Sequence, residues 1–175
     1  MPKQIDHAAY RLELARKVAP LFSEHGYSGL GMRRVAEELG LSKSALYHYF
    51  PTKKSLFLAC TEVVMSPPED DLPADRPDES AAEALLGFAR RLEPGFASEM
   101  SLLFDYLRGK SPDEIAADPA MALANEEMRH QVEKHCRDND ADAVLCLLLG
   151  TLLMRHFTGG RLDYDRLFPA LEKLL

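Results

Sequence analysis

Apolar side chains in this chain recur at every third or fourth position and almost never at every second one. Leu14, Val18, Leu21 and Phe22 fall on one face of the first such run, and Met32, Val35, Ala36 and Leu39 form the stripe of the next. A spacing near 3.6 builds amphipathic helices, whereas a half-buried strand needs strict alternation. Sustained alternation is missing and β-branched residues are few, so the sequence predicts an all-α protein. With 46 % apolar residues in 175, such a chain buries roughly 70 % of its extended surface in one or two domains.

Local punctuation divides the helices. Gly26 stops the first, Gly40 ends the second, and Ser42 caps a third within LSKSALYHYF. Pro51-Thr52 then precedes KKSLFLACTEVVM. The stretch 66–79, SPPEDDLPADRPDE, is rich in proline and acid and reads as a loop or linker. Ser80-x-x-Glu83 and Ser111-Pro112-Asp113-Glu114 are capping boxes, the second with proline at the first helical position. Asp118-Pro119 starts a long helix, Gly159-Gly160 ends the apolar run before it, and Asp163 caps a final segment. About nine helices result, with a boundary placed between residues 1–58 and 59–175. Pro20 and Pro169 fall inside helical patterns, where a kink or break is expected at each.

The net charge of −7 hides an asymmetry. The first sixty residues carry nine Lys/Arg against five Asp/Glu, and the remainder twelve against 23. A basic head on an acidic body suits a protein whose head alone meets a polyanion. The N-terminal stretch has no signal-peptide pattern. The greasiest run, AVLCLLLGTLLM (143–154), is far short of the about 20 residues that span a bilayer. Three cysteines, Cys60, Cys136 and Cys146, form no close pair, and a cytoplasmic protein without a disulfide framework is expected.

The ten residues LSKSALYHYF carry the functional signal. Stepping about 100° per residue, Lys43, Ser44, Tyr47 and His48 share one side of the helix, and Ala45, Leu46, Tyr49 and Phe50 share the other. The second set suits a core. The first offers an ammonium, a hydroxyl, a phenol and an imidazole to phosphate oxygens or base edges. A short helix lies just upstream, across Gly40-Leu41, and two helices joined in this way make a helix-turn-helix. The same pair also serves as a solvated corner of an ordinary bundle.

The segment GYSGLGMRRVAEELGLSKSALYHYFPTKKSLF resembles the DNA-binding region of the TetR family of bacterial transcriptional regulators. The matching positions are Gly26-Tyr27, Val35-Ala36, Gly40-Leu41-Ser42, Leu46-Tyr47, Phe50, Lys53 and Leu56. The resemblance covers residues 10 to 60 well. It implies an N-terminal three-helix DNA-binding domain and a C-terminal helical regulatory and dimerisation domain. By the same resemblance, Arg33 approaches a base, Lys43 and Ser44 read base edges, Tyr47 and His48 meet the backbone or nearby bases, and Lys53 anchors a phosphate. Arg33 also lies one turn from Glu37, which offers it an ion pair instead. Where many relatives have Ser or Thr, this chain has Leu30-Gly31, which removes a hydroxyl from the start of the second helix.

For the body, the resemblance implies a homodimer built on the helices of 140–158 and 163–175, binding a palindromic operator. It also implies a small-molecule effector, with Phe88, Met100, Leu103, Phe104, Tyr106, Met121 and Met128 as candidate lining. Aromatic and Met residues at this spacing equally make plain core. A dimeric DNA-binding regulator controlled by a protein partner is the alternative. No HxxxH or CxxC spacing points to a metal, no cofactor is implied, and no motif brings a nucleophile, base and acid together, so neither a metal centre nor an enzyme is expected.

Overall fold

The computed structural model describes residues 6–66, 79–136 and 140–175. Among these residues it has nine α-helices, a 3-10 turn and no strand. The helices are α1 His7–Gly29, α2 Met32–Glu38, α3 Lys43–Tyr49, α4 Lys53–Met65, α5 Ala81–Leu107, α6 Pro112–Ala116, α7 Pro119–Glu133, α8 Ala141–Phe157 and α9 Phe168–Leu174. The 3-10 turn, Tyr164–Arg166, precedes α9. All but the two ends of the proline- and acid-rich stretch lies outside the described residues.

Most helix starts are set by neighbours in sequence. Ser42 Oγ accepts the Ala45 N–H at 3.1 Å, and the Ser80–Glu83 and Ser111–Glu114 boxes both close. Asp6 caps α1 through Ala8 and Ala9. At α4 the box is Thr52 with Ser55, each side chain bonded to the other's backbone N–H. Such reciprocal bonds satisfy N–H groups that a helix start leaves without partners.

The two prolines differ. α1 keeps helical dihedrals through Pro20, whose exposed position puts the missing hydrogen bond on the solvent side, opposite buried Leu14, Ala15, Val18 and Phe22. The interruption falls at Gly26 instead, at φ 72°, a region that glycine enters without steric cost. Pro169 sits in the first turn of α9, where a missing N–H is no loss. α5 runs on through Pro94 to Leu107, beyond the AAEALLGFARRL segment whose pattern first marks it. Proline costs about 3 kcal/mol in a helix interior. Ala82, Leu85, Leu86, Ala89, Phe96 and Tyr106 are all buried along this helix, and burying a large apolar side chain contributes about 1.5–3 kcal/mol, enough in sum to outweigh that cost.

The chain divides into two compact units. The first comprises Met1–Asp71 and Ser98–Ala124, the second Leu72–Ala97 and Asn125–Leu175. In the first, Leu14, Val18, Phe22, Leu30, Val35, Leu46, Phe50 and Leu56 form one core with Tyr106 and Ala120. The rings of Phe22, Tyr27, Phe57 and Tyr106 stack or meet edge-on at 4.2–5.9 Å. Asp118 is fully buried at the base of α7. It accepts from Tyr106 Oη at 2.7 Å, Lys110 Nζ at 2.8 Å and the Ala120 N–H at 3.0 Å, and pairs with Lys54 Nζ at 3.0 Å.

The second unit buries Leu85, Val144, Leu148, Leu152 and Leu171. Glu93 accepts from Arg155 Nε at 2.8 Å and from Tyr164 Oη at 2.9 Å. The Arg155 guanidinium lies 4.2 Å from the centre of the Tyr164 ring and also donates to the Leu162 carbonyl. No helix among the described residues is long and apolar enough to cross a membrane.

Candidate nucleic-acid interface

The α2–α3 connection is tight because Gly40 takes φ 65°. This lets the Leu41 N–H reach the Ala36 carbonyl at 2.9 Å and hands the chain directly to the Ser42 cap. α3 then turns its two sides as the helical wheel requires. Leu46 and Phe50 are fully buried, and Ala45 and Tyr49 are half-buried. Lys43, Ser44, Tyr47 and His48 face solvent, with 38 % of Tyr47 exposed. An exposed phenol on a helix anchored by Leu46 and Phe50 is a polar contact surface, and no acidic residue occurs between Leu41 and Pro51 to oppose an anion there.

Each candidate residue has a definite setting. The Lys43 ammonium lies 5.7 Å from the Tyr47 ring centre. Ser44 Oγ is 3.1 Å from Ser42 Oγ. Arg33 donates through Nε to Glu37 at 2.9 Å, so its ion pair forms, although both side chains remain largely in solvent. Pairs of that kind contribute only a few tenths of a kcal/mol. Lys53 is turned differently: its ammonium sits 4.5 Å from the Tyr27 ring centre. Burial pushes its pKa down and Asp105 partly offsets that.

Asp105 itself holds the corner between α1 and α2. It accepts from the Ser28 N–H at 2.6 Å and from Ser28 Oγ at 2.8 Å, and these bonds, against the effect of burial, draw its carboxyl below the usual range. The next residue to Lys53, Lys54, goes to Asp118. A cluster that the sequence did not disclose joins α1 to the end of α3. His7 Nδ1 shares a hydrogen bond with Tyr49 Oη at 3.2 Å, and the His7, Tyr10, His48 and Tyr49 rings meet at 5.1–6.2 Å. His7 and Tyr49 lie 42 positions apart in the chain, and nothing in local spacing links them.

The seven candidate lining residues are divided between the two units. Phe88 and Met128, both half-buried, belong to the second unit, and Met100, Leu103, Phe104, Tyr106 and Met121 to the first. Phe104 is 66 % exposed, whereas Tyr106 is buried with its hydroxyl given to Asp118. Two shallow clefts are described. One, of about 400 Å³, lies among Ser23, His25, Ser101, Asp105 and Arg108, and the other, of about 620 Å³, among Glu79, Ser80, His135, Cys136 and Glu172. Neither includes any of the seven.

Among the described residues no group of three or more metal-ligating side chains converges. Cys60 is buried, with its thiol directed at the Ala15 carbonyl, and burial pushes its pKa up to about 12. Thiolate is the reactive form, so this side chain is inert packing.

Residues 17–60 match the model of the family described as bacterial regulatory proteins, tetR family. The chain is 41 % identical over 64 residues to the HTH-type transcriptional regulator PksA of Bacillus subtilis. It is 43 % identical over 49 residues to the HTH-type transcriptional repressor AcnR of Corynebacterium glutamicum. These matches span 37 % and 28 % of this chain but only 31 % and 26 % of those two relatives. The HTH-type transcriptional repressor Rv1474c of Mycobacterium tuberculosis aligns over 98 % of this chain and 95 % of its own length, at 29 % identity. In fold, the chain is similar to a TetR transcriptional regulator from Rhodococcus sp. RHA1. The TM-score is 0.57 at 20 % identity, over 98 % of this chain and 96 % of that one. From the α2–α3 turn to the residues that build it, residues 17–60 thus match the DNA-binding segment of the bacterial regulatory proteins of the tetR family, and over its whole length the chain is similar to the repressor Rv1474c.

Proposed function

We propose that the protein is a dimeric, sequence-specific repressor that lays α3 in the DNA major groove and is released from a palindromic operator by a small-molecule effector. The observation that carries the DNA reading is the solvent-facing row Lys43, Ser44, Tyr47 and His48 on a helix pinned from behind by Leu46 and Phe50. Lys43 reads a base edge, for which guanine O6 and N7 are the natural partners of an ammonium. Ser44 reads the adjoining edge. Tyr47, His48 and Arg33 serve the backbone and nearby bases, and Lys53 leaves the Tyr27 ring for a phosphate. Residues 1–58 carry this work and 59–175 carry regulation and pairing, which is a division of labour, since residues 98–124 pack with the head.

Selection of duplexes from a random library tests the reading. Two half-sites roughly 34–36 Å apart should emerge, and a failure to enrich any sequence would end it. On the selected duplex, Tyr47→Ala should weaken binding to all sequences alike. Lys43→Ala should relax preference at one or two positions by about 1–3 kcal/mol each, as fluorescence anisotropy with single-base variants would report. Unchanged preference in Lys43→Ala would remove the base-reading role.

The dimer rests on α8. Ala143, Cys146, Gly150, Leu153, Met154 and Phe157 are exposed at helical spacing, and 69 % of Phe157 is open to solvent. A stripe of this kind on one subunit is self-complementary about a two-fold axis. Leu153→Glu with Phe157→Glu should convert a dimer to a monomer in light scattering and weaken operator binding together with it. A dimer that survives the double change would place the contact elsewhere. For the effector, a metabolite screen by thermal shift separates release by a small molecule from control by a protein partner.

A further inference from the structure

The edge of the α3 surface carries a second basic element that the helix-turn-helix does not supply. We infer that His7, from the first turn of α1, and His48, from the last turn of α3, form one phosphate-binding pair that takes up protons when DNA binds. The inference rests on the reading of α3 as the DNA-facing helix and extends it to a residue outside the matched segment.

Three observations place the pair. The two imidazole rings are 6.2 Å apart at their centres, close enough for one phosphate group to meet both. Both residues are exposed. The Tyr49 hydroxyl engages only Nδ1 of His7, so Nε2 of His7 and both nitrogens of His48 have no hydrogen-bond or ion-pair partner among the described residues. The Tyr49 ring lies 6.0 Å from the His7 ring, and Tyr10 of α1 meets the Tyr49 ring edge-on at 5.3 Å.

The surrounding charges leave the pair available. On α1 the nearest acid is Asp6, whose Oδ1 is bonded to the Ala8 and Ala9 N–H groups. Arg11 lies over the Phe50 ring and pairs with Glu62 of α4 at 3.2 Å. On α3 the group one turn before His48 is Ser44, and the Tyr49 hydroxyl is bonded to His7. No carboxylate among the described side chains bonds either imidazole, so an arriving phosphate is the anion that stabilises their charged forms.

The sign follows from linkage. A phosphate favours the imidazolium, so the complex binds more protons than the free protein and DNA affinity rises as pH falls. Each proton taken up on binding changes affinity by up to about tenfold per pH unit. Each imidazolium that meets a phosphate steepens the slope of log affinity against log salt by about 0.9.

Phosphate contacts carry no sequence information, so a fluorescein-labelled mixed-sequence duplex of thirty or so base pairs is a sufficient probe. Anisotropy titrations at pH 6 and pH 8 over a range of salt should give tighter binding and a steeper salt slope at pH 6. His7→Gln and His48→Gln should each remove about half of that pH dependence, and the double variant all of it. His7→Lys, cationic at both pH values, should recover at pH 8 about half of the gain in log affinity that the unaltered protein shows at pH 6, which a merely structural role for His7 does not produce. His130→Gln, on the exposed surface of α7, should leave the pH dependence intact. Full pH dependence in His7→Gln, or binding that ignores pH in the unaltered protein, overturns the pair while the DNA reading stands. No binding to duplex at either pH overturns both.

Discussion

Asp118→Ala is expected to lower the unfolding free energy by about 3–5 kcal/mol, the usual cost of removing one partner from a buried ion pair. The carboxylate has no solvent exposure, yet it is the acceptor for Tyr106, Lys110 and two N–H groups at the start of α7, and it pairs with Lys54. The substitution leaves a buried phenol without a partner, two ammonium groups without a counter-ion and α7 without its cap. Against a total of about 5–15 kcal/mol for a domain, this is a large share. Chemical denaturation of the two proteins at neutral pH measures it.

The same carboxylate sets an acid limb. Burial pushes the Asp118 pKa up, but hydrogen bonds from Lys110, Tyr106 and Lys54 outweigh burial and hold it well below the ordinary aspartate range. A group whose pKa is depressed by folding stabilises the fold fully above its unfolded value, near 3.9, and that contribution drains away as pH falls below it. Asp118→Asn should therefore be less stable than the parent at pH 7, with the gap narrowing as the solution is acidified toward pH 3. A gap that stays constant with pH would mean that the charge contributes nothing.

Phe50→Ala is the second large effect, an expected loss of about 3–5 kcal/mol. The ring is fully buried at the end of α3, with the Arg11 guanidinium 5.4 Å from its centre, and it belongs to the core that fixes α3 against α1 and α4. Its removal leaves a cavity under α3, the helix that the proposed function lays in the groove. Duplex affinity should fall along with the thermal midpoint, and at temperatures where the variant remains folded the affinity loss should shrink. Tyr47→Ala provides the contrast: its ring is partly in solvent, so it should lose DNA affinity at nearly unchanged stability.

What was legible in the sequence was local. The two sides of α3 follow from a period of 3.6 and nothing else, and burial of Leu46 and Phe50 with exposure of Lys43 and His48 is what the wheel requires. The Ser42, Ser80 and Ser111 caps were readable because partner and cap are three residues apart. Thr52 was harder, because its reciprocal partner is Ser55 rather than the usual Glu or Gln. Pro20 misled because a proline argues against a helix locally, but tertiary burial of the opposite face decides. The contacts that position the candidate interface were not legible. Asp118 with Lys54, Asp105 with Ser28 and His7 with Tyr49 each join residues far apart in the chain, where sequence spacing carries no information about approach.

The Arg155 clasp has its own consequence for assembly. Arg155 lies on α8 between the exposed Met154 and Phe157, and its guanidinium is already committed to Glu93, Tyr164 and the Leu162 carbonyl. An arginine side chain left loose beside an apolar seam would have to surrender its rotamer freedom when two subunits join, at about 0.5–1.5 kcal/mol for each one immobilised. Here that ordering is completed during folding of the single chain, so in the proposed dimer each subunit would bring a preset edge to the encounter and lose less disorder in making it.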